Sequence, residues 1–218
     1  MGLMNGVRVK ICGIKNPAAY EAARAADWVG FVFFPPSPRF VTPTEAAALA
    51  RPDGPLHVGL FVDPDDAAIA DTLSVVSLDV LQVVASVARA AELRVRFGLP
   101  VWRAVGVAAA ADLPTALDGS DALLLDAPAA GSPLPGGNAS AFDWAILRGW
   151  TAPGPWLLAG GLTPDNVSAA IAQTGTPAVD VSSGVESARG VKDPARIAAF
   201  LAAARDGEAT PQSPHSAD

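Results

Sequence analysis

An alternation running almost the full length of the chain is its strongest constraint. Short apolar runs rich in Val, Leu and aromatic residues fall at positions 7–12, 28–34, 56–62, 80–84, 101–105, 122–125, 156–159 and 178–181. After each comes a stretch with helical character, mostly alanine-rich, at 17–26, 43–50, 64–73, 87–97, 109–117, 142–147, 164–173 and 194–204; the fifth and sixth are the weakest. Near-continuous apolar strands alternating with helices describe a parallel sheet covered by helices. Eight such units of about 25 residues each predict an α/β fold, a (β/α)8 TIM barrel in a single domain. A doubly wound open sheet is the rival. It uses fewer strands and a glycine-rich turn after the first, and Cys12-Gly13-Ile14-Lys15 lacks that spacing. Residues 1–6 read as an N-terminal extension and 7–205 as the barrel. Residues 206–218 have lost their apolar residues and gained Pro, Ser, Thr and Gln, so they are expected to be disordered.

Helix starts punctuate the pattern. Asn16-Pro17, Thr42-Pro43, Asp63-Pro64, Thr163-Pro164 and Asp193-Pro194 each pair a capping side chain with a proline, whose missing N–H costs nothing in a first turn. Glu45 completes a capping box with Thr42.

The formal charge of −7 argues against nucleic acid, which needs dense Lys and Arg patches. A small phosphorylated substrate stays open, because backbone N–H groups at turns hold phosphate whatever the net charge. No apolar run approaches bilayer length and residues 1–6 show no charged-then-apolar leader, so a cytoplasmic protein without membrane contact is expected, as monomer or homodimer. One cysteine excludes a disulfide framework and the usual multi-cysteine zinc sites, and no metal or other cofactor is expected.

In a barrel the chemistry gathers at the C-terminal ends of the strands. Cys12, the lone cysteine, ends the first run and is followed by a glycine loop and a helix start. Strand alternation puts Lys10 on the same inner side, where a cation can lower a thiol pKa. Asp126 ends the apolar run of the sixth strand, and Asp180 interrupts the eighth; a carboxylate so placed is costly unless paired or functional. Gly160-Gly161 and Ser183-Gly184 follow the last two strands, the usual phosphate position of this fold. Arg39 lies on a proline-stiffened loop, either solvated or poised for a carboxylate. His57 and His215 carry no signal.

Lys10-Ile11-Cys12-Gly13-Ile14, Gly30-Phe31-Val32-Phe33 with Ser37-Pro38-Arg39, Gln82, Leu124-Leu125-Asp126, Phe142-Asp143-Trp144, Gly160-Gly161-Leu162 with Asn166-Val167, and Asp180-Val181-Ser182-Ser183-Gly184-Val185-Glu186 together resemble the phosphoribosylanthranilate isomerases of tryptophan biosynthesis. The likeness spans about 7–204. Related barrel isomerases of histidine biosynthesis carry an aspartate where Cys12 stands.

The resemblance implies an aldose–ketose isomerase, an intramolecular oxidoreductase that performs an Amadori rearrangement without cofactor. It makes Asp126 the acid that opens the ribose ring and Cys12, as thiolate, the base that takes the neighbouring carbon-bound proton. It puts Arg39 on the anthranilate carboxylate, Asp180 near the reacting sugar, and Gly160, Gly161, Ser183 and Gly184 on the phosphate; Lys10 and Gln82 are expected to be further substrate-binding residues. The chain departs from the family after Gln82. Val83-Val84-Ala85-Ser86 stand where the family usually has Leu-His-Gly and then Glu, and parity turns Val84 into the barrel in place of an imidazole. The second part of the family's glycine pattern is also missing from residues 134–140. A related sugar-phosphate isomerase or epimerase with another substrate, and a non-catalytic phosphate-binding barrel, are the alternatives.

Overall fold

Apolar runs whose inner and outer faces are both covered become largely buried strands, and all eight form here. The computed structural model describes residues 6–128 and 143–206. The strands are β1 (Arg8–Cys12), β2 (Trp28–Val32), β3 (Leu56–Val62), β4 (Val80–Val84), β5 (Val101–Gly106), β6 (Ala122–Asp126), β7 (Trp156–Leu158) and β8 (Ala178–Val181). All pair in parallel and in chain order. β8 returns to β1 in the register Arg8↔Ala178 to Ile11↔Val181, which closes the barrel and excludes the open sheet.

Six of the eight expected helices form: α1 (Pro17–Ala22), α2 (Pro43–Leu49), α3 (Asp66–Val75), α4 (Val87–Phe97), α5 (Val167–Thr174) and α6 (Pro194–Asp206). Asn16 caps α1, and the Thr42–Glu45 box caps α2. Two cap positions shift. Asp65, not Asp63, accepts the Ala68 N–H at 2.8 Å, while Asp63 takes a φ of +42°. Asn166 accepts the Thr163 N–H at 2.8 Å, and α5 begins only at Val167.

The fifth and sixth helical stretches shrink to 3-10 turns, Ala110–Asp112 and Trp144–Leu147. Leu113 precedes Pro114, which disfavours helical backbone there. Asp112 instead folds back to accept the N–H groups of Ala108 and Ala109, both at 2.9 Å. Residues 134–140, Phe142 and the tail from 207 lie outside the described residues.

Alternation sorts the two cores. Val9, Ile11, Val29 and Phe31 face the helices, whereas Trp28, Val58, Val80, Trp102, Leu124 and Leu157 fill the lower barrel. Trp28 and Trp102 meet edge to face at 5.0 Å, a geometry worth about 0.5–1.5 kcal/mol beyond buried area. Above this apolar plug, toward the strand C-termini, stand the inward polar residues Lys10, Gln82 and Asp180, while Arg8 stacks on Trp28 at its lower end. After β8 the chain adds an unforeseen antiparallel hairpin, β9 (Glu186–Ala188) and β10 (Val191–Lys192). Among the described residues no helix is long and apolar enough to cross a membrane.

Candidate active site

The strand ends surround a cavity of about 250 Å3. Cys12 from β1, Gln82 and Val84 from β4, Asp126 from β6, Asp180 from β8 and Arg39 from the β2 loop all line it. Expected site residues up to 168 positions apart in the chain are thus gathered at one mouth. Phe34, Leu60, Val62, Val84 and Ala104 supply an apolar wall, and Arg39, Asp126, Asp180 and Arg189 supply the charged groups of the lining.

Lys10 is placed differently from its expected contact with substrate. It is fully buried, one layer below Cys12, and does not line the cavity. Its Nζ donates to Asp180 Oδ1 at 2.8 Å. Burial opposes its charge, but Asp180 and then Cys12 more than compensate, and its pKa is raised. The expected lowering of the thiol pKa does not follow. Burial pushes the Cys12 thiol up; the Lys10 charge pulls it down, and the Asp180 charge cancels part of that pull.

Asp126 is the counterpart across the barrel. Its carboxyl is pushed from 3.8 up to about 6, first by burial and then by the Asp180 charge. Its Oδ1 accepts the Ala127 N–H at 2.7 Å, and no cation pairs with it among the described residues. A carboxyl that keeps its proton toward neutral pH can serve as an acid. Gln82 Oε1 is buried at the cavity with no hydrogen-bond partner among the described residues, an acceptor suited to a ligand hydroxyl.

The glycine turns after β7 and β8 stand beside the cavity rather than in its lining. Gly160 and Gly161 both take positive φ, and Gly160 lies against Asp126 and Ala127. Asn166 Nδ2 fixes the turn by donating to Gly161 O at 3.0 Å. Gly184 packs so closely on the Leu162 carbonyl that a Cβ would overlap the oxygen; the Ser183-Gly184 turn is thereby docked on the first one.

Arg39 is buried, not solvated, and it does meet a carboxylate with two parallel bonds. That carboxylate is Glu186: Nε donates to Oε1 at 2.7 Å and Nη2 to Oε2 at 3.0 Å. Gly13, at φ +81°, makes room for it, since a Cβ there would stand 2.8 Å from Arg39 Cδ. Glu186, Lys192 and Arg189 are the residues sequence reasoning missed. Lys192 Nζ donates to Glu186 Oε1 at 2.7 Å and to Ser182 O at 2.8 Å, and Arg189, exposed in the hairpin turn, borders the cavity. Arg189-Gly190 between two short runs was the only local hairpin signal. His57 belongs to the helix side, where its Nε2 lies 3.0 Å from the Tyr20 hydroxyl.

The chain is similar to known proteins in sequence and fold. A family model of N-(5'-phosphoribosyl)anthranilate isomerases matches residues 9–203. The enzyme of that name from Granulibacter bethesdensis is 56% identical over 205 residues, covering 91% of this chain and 98% of its own. The crystal structure of TrpF from Jonesia denitrificans superposes with a TM-score of 0.79 at 40% identity, covering 94% of this chain and 99% of that one. A phosphoribosylanthranilate isomerase in complex with reduced 1-(o-carboxyphenylamino)-1-deoxyribulose 5-phosphate gives 0.76 at 35% identity, with coverages of 91% and 98%.

Proposed function

The chain belongs to the phosphoribosylanthranilate isomerase family, and on that premise we propose that Cys12 and Asp126 are the base and acid of its reaction. The reaction is the isomerisation of N-(5'-phosphoribosyl)anthranilate in tryptophan biosynthesis, and the alternative barrel readings fall away. The observation that carries the assignment is a thiol from β1 and a carboxyl from β6, the latter pushed up to about 6, in the lining of one cavity.

In this reading Asp126 gives its proton to the ribose ring oxygen, the ring opens, and a protonated Schiff base forms between C1 and the aryl nitrogen. The Cys12 thiolate then removes the proton from C2. The electron pair moves into a C1–C2 enamine, and ketonisation yields the aminoketose. Atoms balance without a cofactor. Arg39 meets the aryl carboxylate, and the aryl ring lies on the apolar wall. Gln82 and Asp180 hold sugar hydroxyls, and the turns at Gly160, Gly161, Ser183 and Gly184 take the phosphate. A cytoplasmic setting, where a free thiol stays reduced, fits the same reading.

The test is Asp126→Asn, which keeps size and removes the proton. It should lower kcat by about 10²-fold or more, the usual contribution of a positioned acid, while reduced product analogue still binds. Turnover within a few-fold of the unaltered protein would overturn the assignment.

A further inference from the structure

The proposed reaction leaves a buried charge cluster unused. Glu186 and Lys192 are both buried, and both sit on the β9–β10 hairpin, Glu186 bonded to Arg39 of the β2 loop and Lys192 to Glu186. Glu186 Oε1 accepts from Arg39 Nε and from Lys192 Nζ, both at 2.7 Å. Glu186 Oε2 accepts from Arg39 Nη2 at 3.0 Å and from the Gly190 N–H at 2.9 Å. We propose that Glu186 is a positioning residue, which grips one edge of the Arg39 guanidinium so that the other edge meets the substrate's carboxylate.

The donor inventory points there. A guanidinium has five N–H donors on two usable edges. Glu186 takes the edge made by Nε and Nη2, which leaves the end formed by Nη1 and the second Nη2 proton on a residue that lines the cavity. Lys192 has no donor to spare, because Ser182 O and Oγ accept from it at 2.8 and 3.2 Å beside Glu186. Two cations face one carboxylate, so the cluster carries one uncompensated positive charge, and the unfilled donors belong to Arg39. A planar carboxylate fills that edge with two parallel bonds.

The hold is rigid. Burial alone would raise the Glu186 carboxyl, but the Arg39 bonds and the Lys192 charge outweigh it and bring it down to about 2, so it stays ionised wherever the enzyme works. Ser182 Oγ also donates to Cys12 O at 3.2 Å, which ties the same cluster to the strand bearing the base.

The inference rests on the assignment of Arg39 to the aryl carboxylate, and the experiment separates the two. kcat and KM are measured for N-(5'-phosphoribosyl)anthranilate and for its aniline analogue, which lacks the carboxylate, with the unaltered protein, Arg39→Lys and Glu186→Gln. The unaltered protein should favour the carboxylated substrate by at least about 10-fold in kcat/KM, the scale of one charge-assisted hydrogen bond. Glu186→Gln should erase most of that preference, through a KM for the carboxylated substrate raised about 10-fold or more and a smaller change in kcat.

If Glu186 merely tuned charge, the added positive charge would lower that KM, and such a result overturns the proposal. Preference kept in Glu186→Gln but lost in Arg39→Lys also overturns it, leaving the Arg39 reading intact. Equal rates on both substrates with the unaltered protein would sink the Arg39 reading itself and the proposal with it. Should Glu186→Gln not fold, Glu186→Asp keeps the charge and withdraws the carboxylate by one methylene: a misplaced Arg39 should still lose most of the preference, and a preference kept at the unaltered level overturns the proposal.

Discussion

Lys10 Nζ and Cys12 Sγ hang over the same glycine: a Cβ on Gly30 would lie 3.2 Å from the one and 3.0 Å from the other. The ammonium is already bonded to Asp180, so one buried cation serves a carboxylate and a thiol together. Lys10→Met should cost about 3–5 kcal/mol in denaturant unfolding, because it strands the Asp180 charge. The double variant Lys10→Met/Asp180→Asn should regain most of that loss. It should remain catalytically poor, since the thiol loses the cation that opposes its burial. Full activity in the double variant would show that the cation plays no part in thiolate formation.

Asp126 links catalysis to stability with a definite sign. A carboxyl raised from 3.8 to about 6 binds its proton more tightly when folded, so it makes folding stability fall as pH rises from about 4 to about 6. Asp126→Asn should therefore be more stable than the unaltered protein at pH 7.5, by about 1–3 kcal/mol, with the difference vanishing near pH 4. Unfolding curves at the two pH values check this. In kcat/KM, the pair should give a bell with its lower limb near 6 and its upper limb above the ordinary thiol range, and the lower limb should disappear in residual Asp126→Asn activity.

Val84 lines the cavity, as strand parity required, among Leu60, Val62 and Ala104. Here the family usually keeps an imidazole. Val84→His should change KM more than kcat, by about 1 kcal/mol for one added hydrogen bond. A kcat rise of tenfold or more would mean that the apolar fourth strand limits the chemistry and not just the fit.

What the sequence disclosed follows from how local each signal is. The β3 and β4 boundaries were legible to the residue, because an apolar run bounded by polar turns needs no distant partner. So were Cys12 and Asp126, each marking the end of such a run. The fifth helix failed because Pro114 outweighed a weak alanine pattern. Arg39 and Glu186 are 147 positions apart, and no local pattern announces that they share two hydrogen bonds. The thiol's environment is not local for a related reason: Lys10 is visible two residues away, but its burial and its engagement by Asp180 exist only once the barrel closes.

The central claim is that Cys12 takes the carbon-bound proton, and single-turnover kinetics of Cys12→Ser on N-(5'-phosphoribosyl)anthranilate tests it most directly. The serine variant should fold, bind the reduced product analogue with little change, and turn substrate over at least about 10²-fold more slowly. Turnover near that of the unaltered protein would make Cys12 a structural thiol and contradict the account.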